Sequence, residues 1–598
     1  MRLMPVIVLI AMMSCGTDRS HADERQVSLI IEGGGLPPYC PALERLVEAA
    51  TTNGRLRIGF LPTAGYRPDV SAQHFVDRLK SYGVRPDQVQ KIDITEKNAA
   101  VQAENPEVVR QIRECTAIFF GGGDQTRITR ALRRQDGSST PALDAIYDTW
   151  RQGAIIAGTS AGAAVQSETM ITVSGVPDDS IDEGLDVLDF GLTKAAEQPE
   201  RRGLLISQGL GFLKAGIIDQ HFTQYRGRLG RLSRATTEER VRYGFGIDED
   251  AALVVDREGN FEVLGPGQVT IVDSANATCQ DGPLGCSILG IQVTMLGHGD
   301  QFDPKTGTAI IHPSKKKIVK GKESNNGNFL IPDIAGRGAV PFALIAGLGN
   351  NTSRKQVGIS LKYNRHYGHG YRYTFSKTDQ TQGYEATVNG LDIEAVTNIR
   401  LNIEPVSLNL RSPESSLPVD LPEGPVNEAL RAICYRGIMS PDDDGLFRPQ
   451  AAITRSELAN AIAQTIRLEF PRRESPAISD LPSDSAEADD ILLIVSAGLM
   501  ETTTVDGQFR PLDSITHQEA AAILVRLAER YQSRTLESEP YEVKDADEID
   551  ARYRPSVFAA IRAKLLVPDQ ERIRPEARLT RSEAASALFE IIGFPWRK

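Results

Sequence analysis

The sequence predicts an α/β fold, a doubly wound and mostly parallel sheet, followed by a small β-rich module and an all-α C-terminal region. Three observations predict it. Between about Gln26 and Ser314, short β-rich apolar runs each stop at a glycine-rich turn and give way to a helix-like segment. From about Lys315 to Leu421 the runs are strand-like and show no helical period. From about Pro422 an internal repeat occurs in three copies, each with Thr-x-x-Glu before an apolar helical pattern.

The elements follow in order. Arg2 and the apolar run Pro5–Met13 read as a signal segment, too short to anchor in a bilayer. Cleavage is expected after Ala22, or ahead of Cys15 with lipid attached to that cysteine; either way the mature protein leaves the cytoplasm. The runs 27–31, 57–61, 116–120 and 153–157 end in Gly33-Gly34-Gly35, Pro62-Thr63-Ala64-Gly65, Gly121-Gly122-Gly123 and Gly158-Thr159-Ser160. In open parallel sheets, ligands bind at such carboxyl ends. The division is therefore 26–314 for the α/β domain and 315–421 for the β-rich module. Within the latter, 339–345, 357–361 and 371–375 read as strands and Lys315-Lys316-Lys317 as a solvated face. His366 and His369 read as surface residues. The repeats occupy 422–475, 476–535 and 540–598, with Thr454, Thr516 and Thr580 as helix caps answered by Glu457, Glu519 and Glu583.

The net charge of −12 argues against a nucleic-acid partner, because a polyanion would be repelled. Export permits disulfides, and Cys279 and Cys286, flanking a turn-rich loop, are the best candidate pair.

The chemistry centres on Gly158-Thr159-Ser160-Ala161-Gly162. A β-run precedes it and a helix start follows, the setting of a nucleophile elbow. Small neighbours keep the turn tight and the serine clear of the sheet. The amides of Gly122 or Gly123 and of Ala161 are candidate oxyanion donors. A serine needs a base, and of eight histidines His221 stands at a predicted strand end within Asp219-Gln220-His221-Phe222. An acid should orient that histidine. Glu249, in the carboxylate-rich turn before 251–255, is the choice, with Asp248, Asp182 and Glu183 as alternatives. Arg226, Arg228 and Arg231 place three cations in six residues beside the base, and guanidinium forks suit carboxylates. Asp219 is placed to meet a cationic group, and Gln125 and Gln220 to orient amides.

These motifs, Gly121-Gly122-Gly123-Asp124-Gln125, Gly158–Gly162 and Asp219–Phe222 with Arg226–Leu232, resemble the cyanophycinases of peptidase family S51 over roughly residues 26–314. Tyr225 stands as an extra residue before Arg226 relative to the family pattern. The resemblance implies a fold like that of class I glutamine amidotransferases and a Ser-His-Glu arrangement in that chain order, without metal or organic cofactor. It also implies a substrate, cyanophycin: polyaspartate with arginine on each side-chain carboxyl, cut to β-aspartyl-arginine dipeptides. The alternatives are another acidic or β-aspartyl peptide, or a non-catalytic wall protein.

The C-terminal copies, with Phe447-Arg448-Pro449, Phe509-Arg510-Pro511 and Ile453-Thr454-Arg455-Ser456-Glu457, resemble S-layer homology (SLH) domains. That resemblance implies retention at the cell envelope through wall polysaccharide, with Arg455 and Arg581 binding acidic sugar or, alternatively, tying the three copies together. His517 stands where the second copy would carry this arginine.

Overall fold

The structure is a computed structural model. It describes residues 26–37, 40–172, 181–194, 202–364, 367–388, 391–409, 417–442, 444–466, 478–481, 486–502 and 507–593. The expected signal segment, with Cys15 and Ala22, lies outside the described residues, as does His366. No helix among the described residues is long and apolar enough to cross a membrane.

Two large sheets dominate the α/β part. In the first, Val27–Glu32, Ile155–Thr159, Ala117–Phe120, Ile58–Leu61 and Val89–Lys91 pair in parallel. Helices such as Pro41–Ala50 and Pro141–Arg151 bury their apolar stripes against it. Its other half is antiparallel: Ala252–Asp256 pairs with Val27–Glu32, and Phe261–Leu264, Gln301–Asp303 and Thr308–Ile310 follow. The fold is thus α/β with a mixed sheet.

The second sheet explains the middle of the chain. It starts at Gly216–Gln220 and runs through Tyr243–Ile247, Val269–Asp273 and Gly285–Leu296 to Leu391–Asn409, Tyr367–Val388, Lys355–Asn364 and Leu330–Ile331. Strands of the 315–421 segment therefore extend the sheet that begins with the strand before His221. The seam between the two parts is apolar on both sides, with Ile288, Ile291, Val293, Ile399, Leu401 and Ile403 fully buried together.

Three expectations for this segment are corrected. The run 339–345 is not a strand: Ala339–Leu344 is a helix. Gly338, at φ 69°, turns the chain there, and burial of Val340, Ala343 and Leu344 against the second sheet overrides β-propensity. Lys316 and Lys317 are exposed, but Lys315 is buried and donates to Asp300 at 2.5 Å. His369 is no surface residue, since it is buried 2.9 Å from Asp189, which also accepts from the Tyr371 hydroxyl at 2.8 Å. The hairpin of Thr278–Gly282 and Gly285–Leu296 brings Cys279 and Cys286 sulfurs within 4.8 Å of each other, both as free thiols.

From residue 417 onward the longer described elements are helices, among them Arg455–Thr465, His517–Gln532 and Arg581–Ile592. Each of these three opens with a complete capping box, at Thr454/Glu457, Thr516/Glu519 and Thr580/Glu583. The copies close a ring: Ile453 N–H donates to Leu579, Leu579 to Ile515, and Ile515 to Ile453. Their apolar faces form one core. The ring is seated on the α/β domain, because Arg436 donates to the carbonyls of Pro283 and Asp189 at 3.0 and 3.2 Å and Phe190 enters the helical core.

Candidate active site

Ser160 stands between the strand Ile155–Thr159 and the single helical turn Ala161–Ala164, at φ 53° and ψ −115°. A non-glycine residue held there stores about 1–3 kcal/mol of strain, which the surroundings must over-determine. They do so by close approach. A Cβ on Gly158 would lie 2.3 Å from the Gly162 carbonyl oxygen, and one on Gly162 would lie 2.1 Å from that of Phe120. The Ser160 N–H is fixed on the Glu32 carbonyl at 3.1 Å.

His221 ends the strand Gly216–Gln220 of the other sheet, at φ 48°. The two sheets meet through Gly33-Gly34. His221 N–H donates to the Gly33 carbonyl at 2.8 Å, and a Cβ on Gly34 would lie 2.0 Å from His221 Cε1. The acid lies on the turn that crosses between the sheets, from Tyr243–Ile247 in the second to Ala252–Asp256 in the first. The result is a continuous chain: Ser160 Oγ lies 2.8 Å from His221 Nε2, and His221 Nδ1 lies 2.7 Å from Glu249 Oε1.

The other expected acids are placed differently. Asp248 is buried and accepts from both the N–H and the hydroxyl of Thr223, at 3.0 and 2.7 Å. Burial outweighs those bonds and pushes its carboxyl up to about 6. The side chains of Asp182 and Glu183 are outside those described.

Of the expected oxyanion donors, Gly122 lies over the serine, with an added Cβ 3.4 Å from Ser160 Cβ. Gly123 takes φ 138° against the Ala64 carbonyl. The Ala161 amide is the first of its helical turn and so has no intrahelical acceptor.

The three arginines separate into two kinds. Arg228 and Arg231 are buried and both engage Asp219, which is itself fully buried: Arg228 Nη1 at 2.9 Å, Arg231 Nε at 2.8 Å and Nη2 at 2.5 Å. Burial alone would raise the Asp219 carboxyl, but the two guanidiniums outweigh it and hold it below the usual range. Arg228 also donates to the Gln220 carbonyl at 2.7 Å and stacks on Tyr225, whose ring meets His221 edge-on at 5.1 Å. Asp219 thus ties both arginines into a buried cluster beneath the histidine loop. Arg226 is partly exposed and pairs with Asp333. Gln125 is buried, its amide spent on the Ile171 carbonyl at 2.8 Å.

Two participants escaped the sequence reading. Gln224 accepts the Glu249 N–H at 2.9 Å and so steadies the acid. Glu32, the last residue of Val27–Glu32, is 2% exposed and accepts from the Thr159 hydroxyl beside Ser160. Burial pushes its carboxyl up to about 8. Its one sequence signal was an acid closing an otherwise apolar strand.

In the C-terminal ring, Arg455 donates to the carbonyls of Phe509 and Glu501 at 2.7 and 2.6 Å. Arg581 donates to those of Phe447 and Ser440 at 2.8 and 2.6 Å and pairs with Glu457. His517 takes the corresponding place, 2.7 Å from the Ile573 carbonyl and 3.4 Å from Glu583. Each spans two copies.

A serine hydrogen-bonded through a histidine to a carboxylate, at the ends of strands in an α/β fold, is the geometry of serine hydrolases as a class, peptidases among them. The model of peptidase family S51 matches residues 29–263. The cyanophycinase of Synechococcus elongatus is 32% identical over 257 residues, 42% of this chain and 70% of that protein. Those of Nostoc sp. and Geminocystis herdmanii are 32% and 30% identical, covering 74% and 83% of their lengths and 41% and 42% of this chain. The chain belongs to peptidase family S51. The S-layer homology domain model matches residues 422–459 and 477–521, which implies association with the cell surface. The third copy lies outside those matches and rests on its own capping box and Arg581.

Proposed function

We propose that this peptidase is a cyanophycinase-type serine exopeptidase working at the cell envelope. The observation that carries the reading is the unbroken Ser160–His221–Glu249 chain. In it, His221 Nε2 takes the Ser160 proton as Oγ attacks the scissile carbonyl. Glu249 orients the ring through Nδ1 and stabilises the imidazolium. The turn at Ser160 acts as a nucleophile elbow, and the amides of Gly122 or Gly123 and Ala161 receive the oxyanion. Because the helix after Ser160 is one turn long, its contribution is free amides rather than a macrodipole. Histidine then protonates the leaving group, and water activated by the same base releases the acyl group.

The substrate is a polyaspartate bearing arginine, supported by the cyanophycinase relatives. Arg226 is the arginine available to its carboxylates, since Arg228 and Arg231 are committed to Asp219. Ser160→Ala should abolish release of β-aspartyl-arginine from cyanophycin, followed by mass spectrometry of products. Full activity in that variant would refute the assignment. Products from another acidic or β-aspartyl peptide alone would favour the second reading.

The copies from 422 onward hold the enzyme to wall polysaccharide, with Arg455 and Arg581 at the junctions between copies as sugar contacts. Export through the signal segment delivers it there, with cleavage either after Ala22 or ahead of Cys15, whose lipid would then be a second anchor. Deleting 422–598 should release activity to the medium if the repeats are the sole anchor, and should fail to do so if Cys15 is lipidated.

A further inference from the structure

The segment 315–421 lies beyond the family match at 29–263, yet one of its loops is bonded to the loop that carries His221. Gly227 N–H donates to the Ala335 carbonyl at 3.1 Å and Gly338 N–H to the Thr223 carbonyl at 3.0 Å. Within this frame Arg226 pairs with Asp333. The other side of the histidine loop faces the triad, through Tyr225 against the His221 ring and Gln224 on the Glu249 amide. Asp333 thus stands one residue contact away from the catalytic loop, on a part of the chain outside the matched family region.

We propose that Asp333 is a specificity-determining residue that accepts the cationic side chain of the substrate, while Arg226 turns to the neighbouring substrate carboxylate. This rests on the reading above that the substrate carries arginine on an aspartate backbone. The contrast with the buried cluster supports it. Asp219 and its arginines are 0–4% exposed and cannot exchange partners without stranding a charge in the interior. Arg226 and Asp333 are 27% and 38% exposed, and a solvent-accessible pair adds little to the fold and opens readily. Asp333 Oδ1 is buried and accepts no hydrogen bond among the described residues, so Oδ2, now held by Arg226, is the oxygen a substrate cation would meet. When Arg226 turns away, Oδ2 is left for a charge-assisted bond to the incoming guanidinium. Opposite charges in contact match a repeat unit in which a carboxylate adjoins a guanidinium.

The test uses the full chain and two synthetic oligo-aspartates, one bearing arginine on each side-chain carboxyl and one bearing citrulline, its neutral isostere. For Asp333→Asn, kcat/KM on the arginine oligomer should fall about ten- to a hundredfold, chiefly through KM, as loss of a charge-assisted contact predicts. The citrulline oligomer should change less than about twofold, and Asp333→Glu should restore most of the loss. An equal fall on both oligomers would make Asp333 a support for the histidine loop and overturn the proposal. So would unchanged kinetics on both. If the unaltered enzyme cleaves neither oligomer, the substrate reading itself fails and the proposal falls with it.

Discussion

Replacing Glu32 by Gln probes the buried carboxyl bonded to Thr159, next to Ser160. The Glu32 side chain is 2% exposed, and burial moves its pKa from the usual 4.5 to about 8. Between those values the folded chain holds a proton that the unfolded chain has lost. Stability therefore falls as pH rises through this window, by about 1.4 kcal/mol per pH unit and about 5 kcal/mol in all by pH 8. Gln imitates the protonated acid and removes this slope. Urea unfolding between pH 5 and 9 measures it. Trp150 is the reporter, because its indole donates to Ser28 Oγ on the strand that ends at Glu32, and Trp596→Phe removes the second of the two tryptophans. Relative to the parent, Glu32→Gln should gain several kcal/mol between pH 5 and pH 8. A stability difference between the two proteins that stays within about 1 kcal/mol across this range would show that Glu32 titrates like an exposed acid, and would refute the reasoning.

Gly34→Ala should lower kcat about a hundredfold or more with the fold retained by circular dichroism, because the new Cβ would stand 2.0 Å from His221 Cε1; near-normal turnover would show that the histidine is not held there. Arg228→Ala should cost about 2–4 kcal/mol in urea unfolding by removing a buried guanidinium with its bonds to Asp219 and the Gln220 carbonyl, whereas Arg226→Ala should cost under about 1 kcal/mol; similar costs would contradict the division into buried and exchangeable arginines. At the junction of the second and third copies, burial opposes charge on His517, but Glu583 and the Ile573 carbonyl outweigh it and raise its pKa. Burial likewise opposes charge on Glu583, but bonds from His517 and Thr580 lower it to about 2. The histidine's share of stability is complete below about 6.5 and is lost as pH rises through its raised value. The acid's share is complete above about 4.5 and is lost as pH falls through about 2. The melting midpoint of the C-terminal ring should thus decline by a few degrees from pH 6 to pH 9, and His517→Arg should flatten that decline; an identical decline in both proteins would exclude the pair as its source.

Much of this molecule was legible because the relevant physics is local. The Gly158–Gly162 turn announces itself by its small residues, which the close approaches of Gly158 and Gly162 demand. The Thr-x-x-Glu boxes satisfy their own amides within four residues, so they could be read without knowing what the helices pack against. His221 was reachable as a residue at the end of a predicted strand, and Glu249 as one of several carboxylates in a turn, chosen on the family resemblance. Less legible was the helix 339–344, whose β-prone residues are helical because of what they bury. Nor does spacing show that Arg228 and Arg231 point to Asp219 rather than outward, since that depends on the turn at Gly227 and on the packing under it.

The sequence by itself determined the turn that presents Ser160, the caps that start the repeated helices, and the residue types of a serine-based site. Only the tertiary structure decided how they are used. Ser160 and His221 end strands of two different sheets, and a turn crossing from one sheet to the other carries Glu249 between them. No spacing along the chain encodes that meeting, because it depends on long-range pairing and on the absence of a side chain at Gly34, where the two sheets touch. For the same reason, Asp333 comes beside the histidine loop although 107 residues separate it from Arg226, brought back by strands that extend the second sheet.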